Sequence, residues 1–271
     1  MERSRKILEE LKADYVHGAS WYFDKVVEAF EALGDFNLEF AQELDEVRPG
    51  MASVKNVIEA YQTYISKGYS ARAIARALKN LKEKAQERIS KLSLEASSIA
   101  TVSFSSNVLS LAKSSNVKHV YIFITEPNFE LDEAVKEFEK FSKVAALPLS
   151  SASHFIEYVD AFLTGFDGLY TSGHFVNKSG TYLLSCIARE KGIPVYLIGE
   201  SFKAYDGFPP PPVKVKWSNL MIPLFENVPI ELADYLMTEL GVQEKPNSST
   251  IKSVYESFKK LLEEALREGD L

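Results

Sequence analysis

A short polar stretch near the middle of the chain carries residue types that bind anions. Asn177 and Lys178 are followed by Ser179, Gly180 and Thr181, where a helix is predicted to begin. The free backbone N–H groups and the positive dipole end of a helix N-terminus attract negative charge. The Asn-Lys pair adds an amide donor and a cation. This combination suits a phosphate group or a sugar hydroxyl.

A cluster of hydroxyl groups lies in residues 101–109, TVSFSSNVL, between an apolar run and a predicted helix. Ser103, Ser105 and Ser106 could supply a nucleophile, a cradle for a phosphate or an ordinary helix cap. The sequence has no G-x-S-x-G nucleophile elbow, and no base motif stands near the cluster. The cradle and the cap are therefore the favoured alternatives.

Further polar residues stand where apolar runs end or where predicted helices meet. Asp167 ends the run YVDAFLTGF, and Glu200 and Lys203 follow the run IPVYLIG. Arg48, in VRPGMAS, and residues 17–20, HGAS, come from the helical part of the chain. Each signal is weak when taken alone. If these loops meet at one rim, their two lysines predict a site for an anionic small molecule.

Two kinds of pattern would position these residues. Residues 1–95 show apolar residues at helical spacing, which predicts an N-terminal helical domain. In residues 96–271 short apolar runs alternate with helical segments, which predicts an α/β domain with a parallel sheet covered on both faces. Such sheets bind ligands beyond the carboxyl ends of their strands. The site is therefore expected in the loops SFSSN, TEPN, SSASH, GFDGLYTSGHFVNKSGT and GESFKAYDG.

The last segment, from residue 247 onward, predicts a long helix with one apolar face. The simpler interpretation is a helix docked on its own domain. The alternative is a contact between subunits of an oligomer.

Composition and missing motifs exclude several classes of protein. The chain has 271 residues, 46% hydrophobic and 25% charged, and its net charge of −7 gives no general attraction to nucleic acid. A single cysteine, Cys186, excludes an internal disulfide, and a cytoplasmic location is expected. No dinucleotide fingerprint, Walker A sequence or metal-binding motif is present, so no cofactor or metal is expected. No apolar run reaches the roughly 18 residues that span a membrane, and the first residues predict a charged helix rather than a signal peptide.

Several stretches in a fixed order carry a resemblance to a known family. They are HGASW, RPGMASVKN, SFSSNVL, GFDGLYTSGHFVNKSGTYLL, IPVYLIGESFKAY and PLFENVPIELADYLMTELG. Together they resemble the superfamily of the alpha, beta and delta subunits of translation initiation factor 2B, most of all its archaeal members. That superfamily includes ribose-1,5-bisphosphate isomerase and methylthioribose-1-phosphate isomerase. The resemblance implies a helical domain followed by a Rossmann-like α/β domain, assembled as dimers or hexamers.

The resemblance also implies a cleft between the two parts in which a sugar phosphate binds. Asp167 matches the catalytic aspartate of the isomerases, and the position of their catalytic cysteine falls on Ser103. The binding positions carried over by motif are His17, Gly18, Ala19, Ser20, Arg48, Asn177, Lys178 and Lys203, beside the hydroxyls of Ser105 and Ser106.

Three departures weaken the implied isomerase chemistry. Ser103 replaces the cysteine, and a hydroxyl ionises far less readily than a thiol of pKa about 8.5. His17 stands where the isomerases have an arginine, which removes a bidentate phosphate donor. Phe166 replaces a small residue before the aspartate.

Three functions follow as alternatives. The first is a regulatory, non-catalytic initiation factor 2B-like protein whose cleft binds a sugar phosphate or nucleoside monophosphate. The second is an aldose-ketose sugar-phosphate isomerase, and the third is a structural oligomer subunit with a vestigial pocket. Whether the protein is an enzyme stays open at this point. The expected partners are a phosphorylated small molecule, other copies of the chain and, from the resemblance, translation initiation factor 2; no membrane and no direct nucleic acid contact is expected.

Overall fold

A computed structural model describes residues 2–268. Its helices are α1 Glu2–Ala13, α2 Ala19–Leu33, α3 Leu38–Val47, α4 Ala52–Ser66, α5 Ala71–Ile89, α6 Ser106–Ser114, α7 Leu131–Glu139, α8 Ala152–Phe155, α9 Thr181–Glu190 and α10 Ser248–Glu268. Its strands are β1 Ser98–Val102, β2 His119–Ile124, β3 Lys143–Pro148, β4 Ala161–Gly165, β5 Gly168–Tyr170, β6 His174–Lys178, β7 Val195–Ile198, β8 Ala204–Tyr205, β9 Lys214–Trp217, β10 Leu220–Pro223, β11 Phe225–Pro229, β12 Tyr235–Thr238 and β13 Gly241–Glu244.

The N-terminal helices begin and end at residues suited to those positions. The side chains of Asn37 and Ser70 accept hydrogen bonds from the backbone N–H groups of Phe40 and Ala73, at 2.8 and 3.2 Å. These bonds cap α3 and α5 and satisfy N–H groups that the helix itself leaves free. Gly34 ends α2 in the left-handed conformation, at φ 82°.

The main sheet has the strand order β13-β12-β7-β4-β1-β2-β3. All its pairs are parallel except β12 with β13. The chain therefore proceeds from β1 outward through β2 and β3, then returns to the other side of β1 with β4. This reversal creates a crevice beyond the carboxyl ends of β1 and β4, where open α/β sheets bind ligands. The predicted fold class, helices followed by a Rossmann-like parallel sheet, is confirmed.

A second sheet was not predicted. Strands β11, β6, β5 and β8 pair in that order, and β5 and β6 form an antiparallel hairpin. The prediction of one long loop for GFDGLYTSGHFVNKSGT is wrong, because residues 168–170 and 174–178 form these two strands. The turn TSG, with Gly173 at φ 87°, is typical of a hairpin. Unlike the predicted strands, these two are not continuous apolar runs, because they include Gly168, His174, Asn177 and Lys178.

The C-terminal helix α10 packs on two hydrophobic cores. Ile251 and Val254 lie in the core of the α/β part, whereas Phe258, Leu262 and Leu266 lie in the core of the helical part. The prediction that this helix docks on its own domain is therefore only half right. The boundary between residues 95 and 96 stays a prediction, and residues 1 and 269–271 of the predicted domain ranges lie outside the described residues.

Within residues 2–268 no helix combines the length and the apolar character required to cross a bilayer.

Candidate functional site

A cleft of about 200 Å³ opens at the carboxyl ends of β1 and β4, below the start of α2 and the loop before α4. All twelve residues predicted for the site line this cleft. They are His17, Gly18, Ala19, Ser20, Arg48, Ser103, Ser105, Ser106, Asp167, Asn177, Lys178 and Lys203. The folded chain thus brings together loops that are up to 186 residues apart in sequence, from position 17 to position 203. What each residue does there remains a prediction.

Asp167 connects the sheet to the first turn of α2. Its Oδ1 accepts a hydrogen bond of 3.1 Å from the backbone N–H of Ala19, and Gly18 before it offers no side chain to cap the helix. Burial raises the pKa of Asp167, although the charges of Lys203 and Lys178 oppose the rise. A carboxyl group with a raised pKa can hold or release a proton closer to neutral pH.

The backbone beside Asp167 packs closely against the loop before α4. The N–H of Ala52 donates to the Asp167 carbonyl at 3.2 Å, which ties the start of α4 to the sheet. A side chain at Gly168 would collide with the backbone oxygen of Gly50. This close approach holds the loop that carries Arg48 against the cleft.

Lys203 is paired with a carboxylate. Its Nζ lies 2.9 Å from Oε2 of Glu200, a side chain without solvent exposure. Ser20 and Asn107 also donate to Glu200, at 3.1 and 2.8 Å. Burial alone would raise the pKa of Glu200, but the charge and hydrogen bond of Lys203 and the hydrogen bond from Asn107 outweigh it, and the pKa is lowered. Glu200 therefore stays ionised and holds Lys203 in place.

Lys178 is paired in the same way with Glu130. Its Nζ lies 3.1 Å from Oε1 of Glu130 and also donates to the carbonyl of Pro127. Ser103 donates to Oε1 of the same carboxylate at 2.7 Å. Ser103 itself sits at φ 63°, a conformation that side chains other than glycine rarely adopt. No base motif stands near Ser103 in the sequence, but the fold brings the carboxylate of a residue 27 positions later to its hydroxyl.

Asn177 uses its amide group inside the protein. Its Nδ2 donates to the hydroxyls of Thr164 and Thr181, at 2.8 and 2.9 Å. The amide donors that the sequence assigned to a ligand therefore hold β6 against β4 and the start of α9. Oδ1 is the part of this side chain left for a ligand.

Arg48 is buried but incompletely hydrogen-bonded. Its guanidinium lies over the rings of Tyr15 and Tyr22, at 4.5 and 5.4 Å, and Nη1 donates to the carbonyl of Val47. Nη2 is buried and has no hydrogen-bond partner among residues 2–268. An unpaired donor of this kind is unfavourable unless a ligand or water completes it.

His17 and the serines of residues 105 and 106 occupy the rim. His17 is exposed, stacks on Trp21 with ring centroids 4.3 Å apart and contacts Oδ1 of Asp14 at 2.6 Å. Ser105 caps α6 through Val108 N–H, at 3.5 Å, and Ser106 is exposed in the first turn. The three hydroxyls of the cluster thus differ: one binds Glu130, one is a cap and one faces the cleft entrance.

Sequence reasoning missed Glu130 as a site residue and noted Glu200 only as a rim residue. Glu130 follows the loop TEPN after β2, and the rule that strand-end loops form the site could have included it. What the sequence could not show is that its carboxylate reaches both Ser103 and Lys178. Among the described residues, no three His, Cys, Asp or Glu side chains are placed to hold a metal ion.

The fold and the cleft define a class: a helical layer on a Rossmann-like sheet, with a polar cleft at the reversal of strand order. Residues 37–210 match the Initiation factor 2 subunit family. The chain belongs to this family.

Relatives with two kinds of name are similar to the chain. A Pyrococcus horikoshii protein provisionally named translation initiation factor eIF-2B subunit 2-like is 28% identical over 89% of this chain and 96% of its own length. The ribose 1,5-bisphosphate isomerase of Archaeoglobus fulgidus is 29% identical over 62% of this chain and 59% of its own.

The solved structures that resemble the chain also include both an initiation factor and an isomerase. The Pyrococcus horikoshii translation initiation factor eIF-2B superposes with a TM-score of 0.76 at 24% identity, covering 91% of this chain and 98% of the other. The 5-methylthioribose 1-phosphate isomerase of the same organism has a TM-score of 0.67 at 17% identity, covering 94% and 88%. At these identities the structures establish the shared fold.

Proposed function

We propose that the protein binds a phosphorylated small molecule, a sugar phosphate or a nucleoside monophosphate, in the cleft and acts as a regulatory, non-catalytic member of its family. The observation that carries this proposal is the buried Nη2 of Arg48. A phosphate oxygen would complete its hydrogen bonding, and guanidinium groups bind phosphate in bidentate geometry. The stacking of Arg48 on Tyr15 and Tyr22 already orders the side chain for this role.

The non-catalytic part of the proposal rests on Ser103. Its hydroxyl lacks the ionisation of a thiol and already donates to Glu130. The relatives named as initiation factor subunits support the same interpretation, since the Pyrococcus horikoshii protein of that name matches almost its whole length.

Substituting Arg48 tests the binding proposal. Isothermal titration with AMP, ribose 1,5-bisphosphate and methylthioribose 1-phosphate is expected to show binding of at least one of them. Arg48→Met should weaken that binding about 10- to 100-fold, because a charge-assisted hydrogen bond contributes about 1.5–3 kcal/mol. Arg3→Met removes the same charge at the protein surface. The affinity of this variant for the ligand should equal that of the unsubstituted protein. No binding of any of the three, or equal affinity in both variants, would refute the proposal.

Isomerisation of a sugar phosphate is the second candidate. The observation that favours it is the carboxyl of Asp167, whose pKa burial raises, on the same cleft as the Ser103–Glu130 pair. Asp167 could donate a proton to a bound sugar, while Glu130 accepts a proton from the sugar through the Ser103 hydroxyl. Turnover that Asp167→Asn abolishes would support this function. Turnover gained in Ser103→Cys would show that the thiol is the missing part.

The assembly and the partners are proposals of the same kind. We propose a homo-oligomer, a dimer or hexamer, in the cytoplasm, with translation initiation factor 2 as a protein partner. The tetrameric eIF2B-beta2-delta2 complex from C. thermophilum shares the fold, with a TM-score of 0.67 at 14% identity. Light scattering after gel filtration tests the oligomer, and pull-down with the purified factor tests the partner.

A further inference from the structure

Each lysine on the cleft has its own buried carboxylate. The Lys178 and Glu130 side chains are 5% and 9% exposed, and those of Lys203 and Glu200 are 6% and 0% exposed. Paired charges in such surroundings attract each other strongly because little water screens them. Neither lysine therefore brings a net positive charge to a ligand.

Arg48 differs from both lysines. Among residues 2–268 no carboxylate lies within ion-pair distance of its guanidinium, and its Nη2 is unpaired. Asp167 and Glu133, which also line the cleft, are acidic and supply no positive charge. The cleft can thus neutralise one phosphate group at Arg48, while a second phosphate would meet lysines that are already neutralised.

Glu130 is the residue that neutralises Lys178. Ser103, directly after β1, and Lys178, the last residue of β6, approach the same carboxylate and fix its position. Glu130 stands directly before α7, so its charge also lies near the positive end of that helix dipole. A bisphosphate would have to separate Lys178 from this carboxylate before its second phosphate could bind there.

We infer that Glu130 restricts the cleft to ligands with a single phosphate group, such as a sugar monophosphate or a nucleoside monophosphate. This inference rests on the proposed function, because it concerns the same cleft. Ribose 1,5-bisphosphate, the compound in the name of the Archaeoglobus fulgidus relative, would therefore bind weakly in this cleft.

Ribose 5-phosphate and ribose 1,5-bisphosphate form a matched pair of probes that differ by one phosphate. Isothermal titration of the unsubstituted protein should show that the bisphosphate binds no more tightly than the monophosphate. Glu130→Gln keeps the shape of the side chain and releases Lys178. It is expected to raise the affinity for the bisphosphate about tenfold relative to that for the monophosphate.

Glu133→Gln is the matched control. Glu133 lines the same cleft on α7 and is exposed, but it has no lysine partner among the described residues. Its substitution removes the same charge, so a general electrostatic effect would appear in both variants. The expected result is a change in selectivity in Glu130→Gln alone.

Different results would refute the proposed function and the inference about Glu130. If neither probe binds the unsubstituted protein, and AMP and methylthioribose 1-phosphate do not bind either, the proposed function is refuted and this inference with it. A bisphosphate that binds at least tenfold more tightly than the monophosphate in the unsubstituted protein would overturn the inference and leave the proposed function standing. Equal gains in Glu130→Gln and Glu133→Gln would also overturn it. The measurement on the unsubstituted protein decides even where a variant fails to fold.

Discussion

At the scale of residues, Asp167 has a mixed role. It caps α2 from the sheet through Ala19, and burial opposes its ionisation although Lys203 and Lys178 favour it. Because these influences oppose each other, the charge of Asp167 adds little to the stability of the folded protein. It connects the helical part to the sheet and leaves a carboxyl facing the cleft.

The raised pKa of Asp167 predicts a pH dependence of stability. The folded carboxyl keeps its proton to higher pH than the unfolded one, whose ordinary pKa is 3.8, so the free energy of unfolding falls as pH rises above that value and through the folded pKa. Asp167→Asn stays neutral and can still accept from Ala19. It should therefore be more stable than the unsubstituted protein at pH 7, with the difference shrinking toward pH 4, as measured by urea unfolding.

Asp160 supplies a control of opposite sign. The backbone N–H groups of Ser98 and Ser97 hydrogen-bond its carboxylate, both at 2.8 Å, and lower its pKa. Its contribution is present at neutral pH and is lost as pH falls through the lowered folded pKa. Asp160→Asn should lose stability at pH 7. A stability change in the same direction for both variants would contradict the account of Asp167.

At the scale of elements, α10 joins the two hydrophobic cores. Its first turns contribute Ile251 and Val254 to the core of the α/β part, and its later turns contribute Phe258, Leu262 and Leu266 to the helical core. The helix is therefore part of the structure that sets the helical layer over the carboxyl ends of the strands. The cleft lies at that boundary.

Adjacent leucines on α10 allow a direct test. Leu262 has no solvent exposure, and Leu262→Ala should lower the free energy of unfolding by about 2–5 kcal/mol because it removes buried methyl groups and leaves a cavity. Leu261 is half-buried, and Leu261→Ala should lower it clearly less. Chemical denaturation followed by circular dichroism measures both. Similar losses in the two variants would mean that α10 does not pack as described.

At the scale of the whole molecule, the cleft is formed by residues of both parts. His17 to Ser20 and Arg48 come from the helical part, and the remaining predicted residues come from the loops of the α/β part. A ligand that contacts both would stabilise their contact as well as each part. The stability of the folded chain and the occupancy of the cleft are therefore linked.

This linkage predicts one unfolding transition that moves with ligand. At a hundredfold excess over Kd, a bound monophosphate should stabilise by about 2.7 kcal/mol and raise the unfolding midpoint by about 5–10 °C. Trp21 stands at the cleft and Trp217 in β9, so fluorescence in a Trp217→Phe background reports on the helical part. This signal and far-UV circular dichroism should change together. A helical part that melts first, with no response to ligand, would contradict the prediction.

The sequence by itself determined the helical beginning, the parallel strands β1, β2, β3, β4 and β7, and twelve of the residues that line the cleft. Hydrophobic periodicity is read from residues close in sequence. The rule that ligands bind beyond the carboxyl ends of parallel strands needs only the order of the strands and helices. Strands β5 and β6 were missed because neither is a continuous apolar run: β5 begins with Gly168, and β6 begins with His174 and ends with Asn177 and Lys178.

Only the tertiary structure decided which charges are available. Lys178 and Lys203 looked like free cations, yet Glu130 and Glu200 neutralise them, and Arg48 alone among these three keeps an unpaired donor. Ser103 looked isolated from any base until the fold placed Glu130 beside it. Ion pairing depends on side-chain distances of a few ångströms between distant segments, and one sequence contains no such distances.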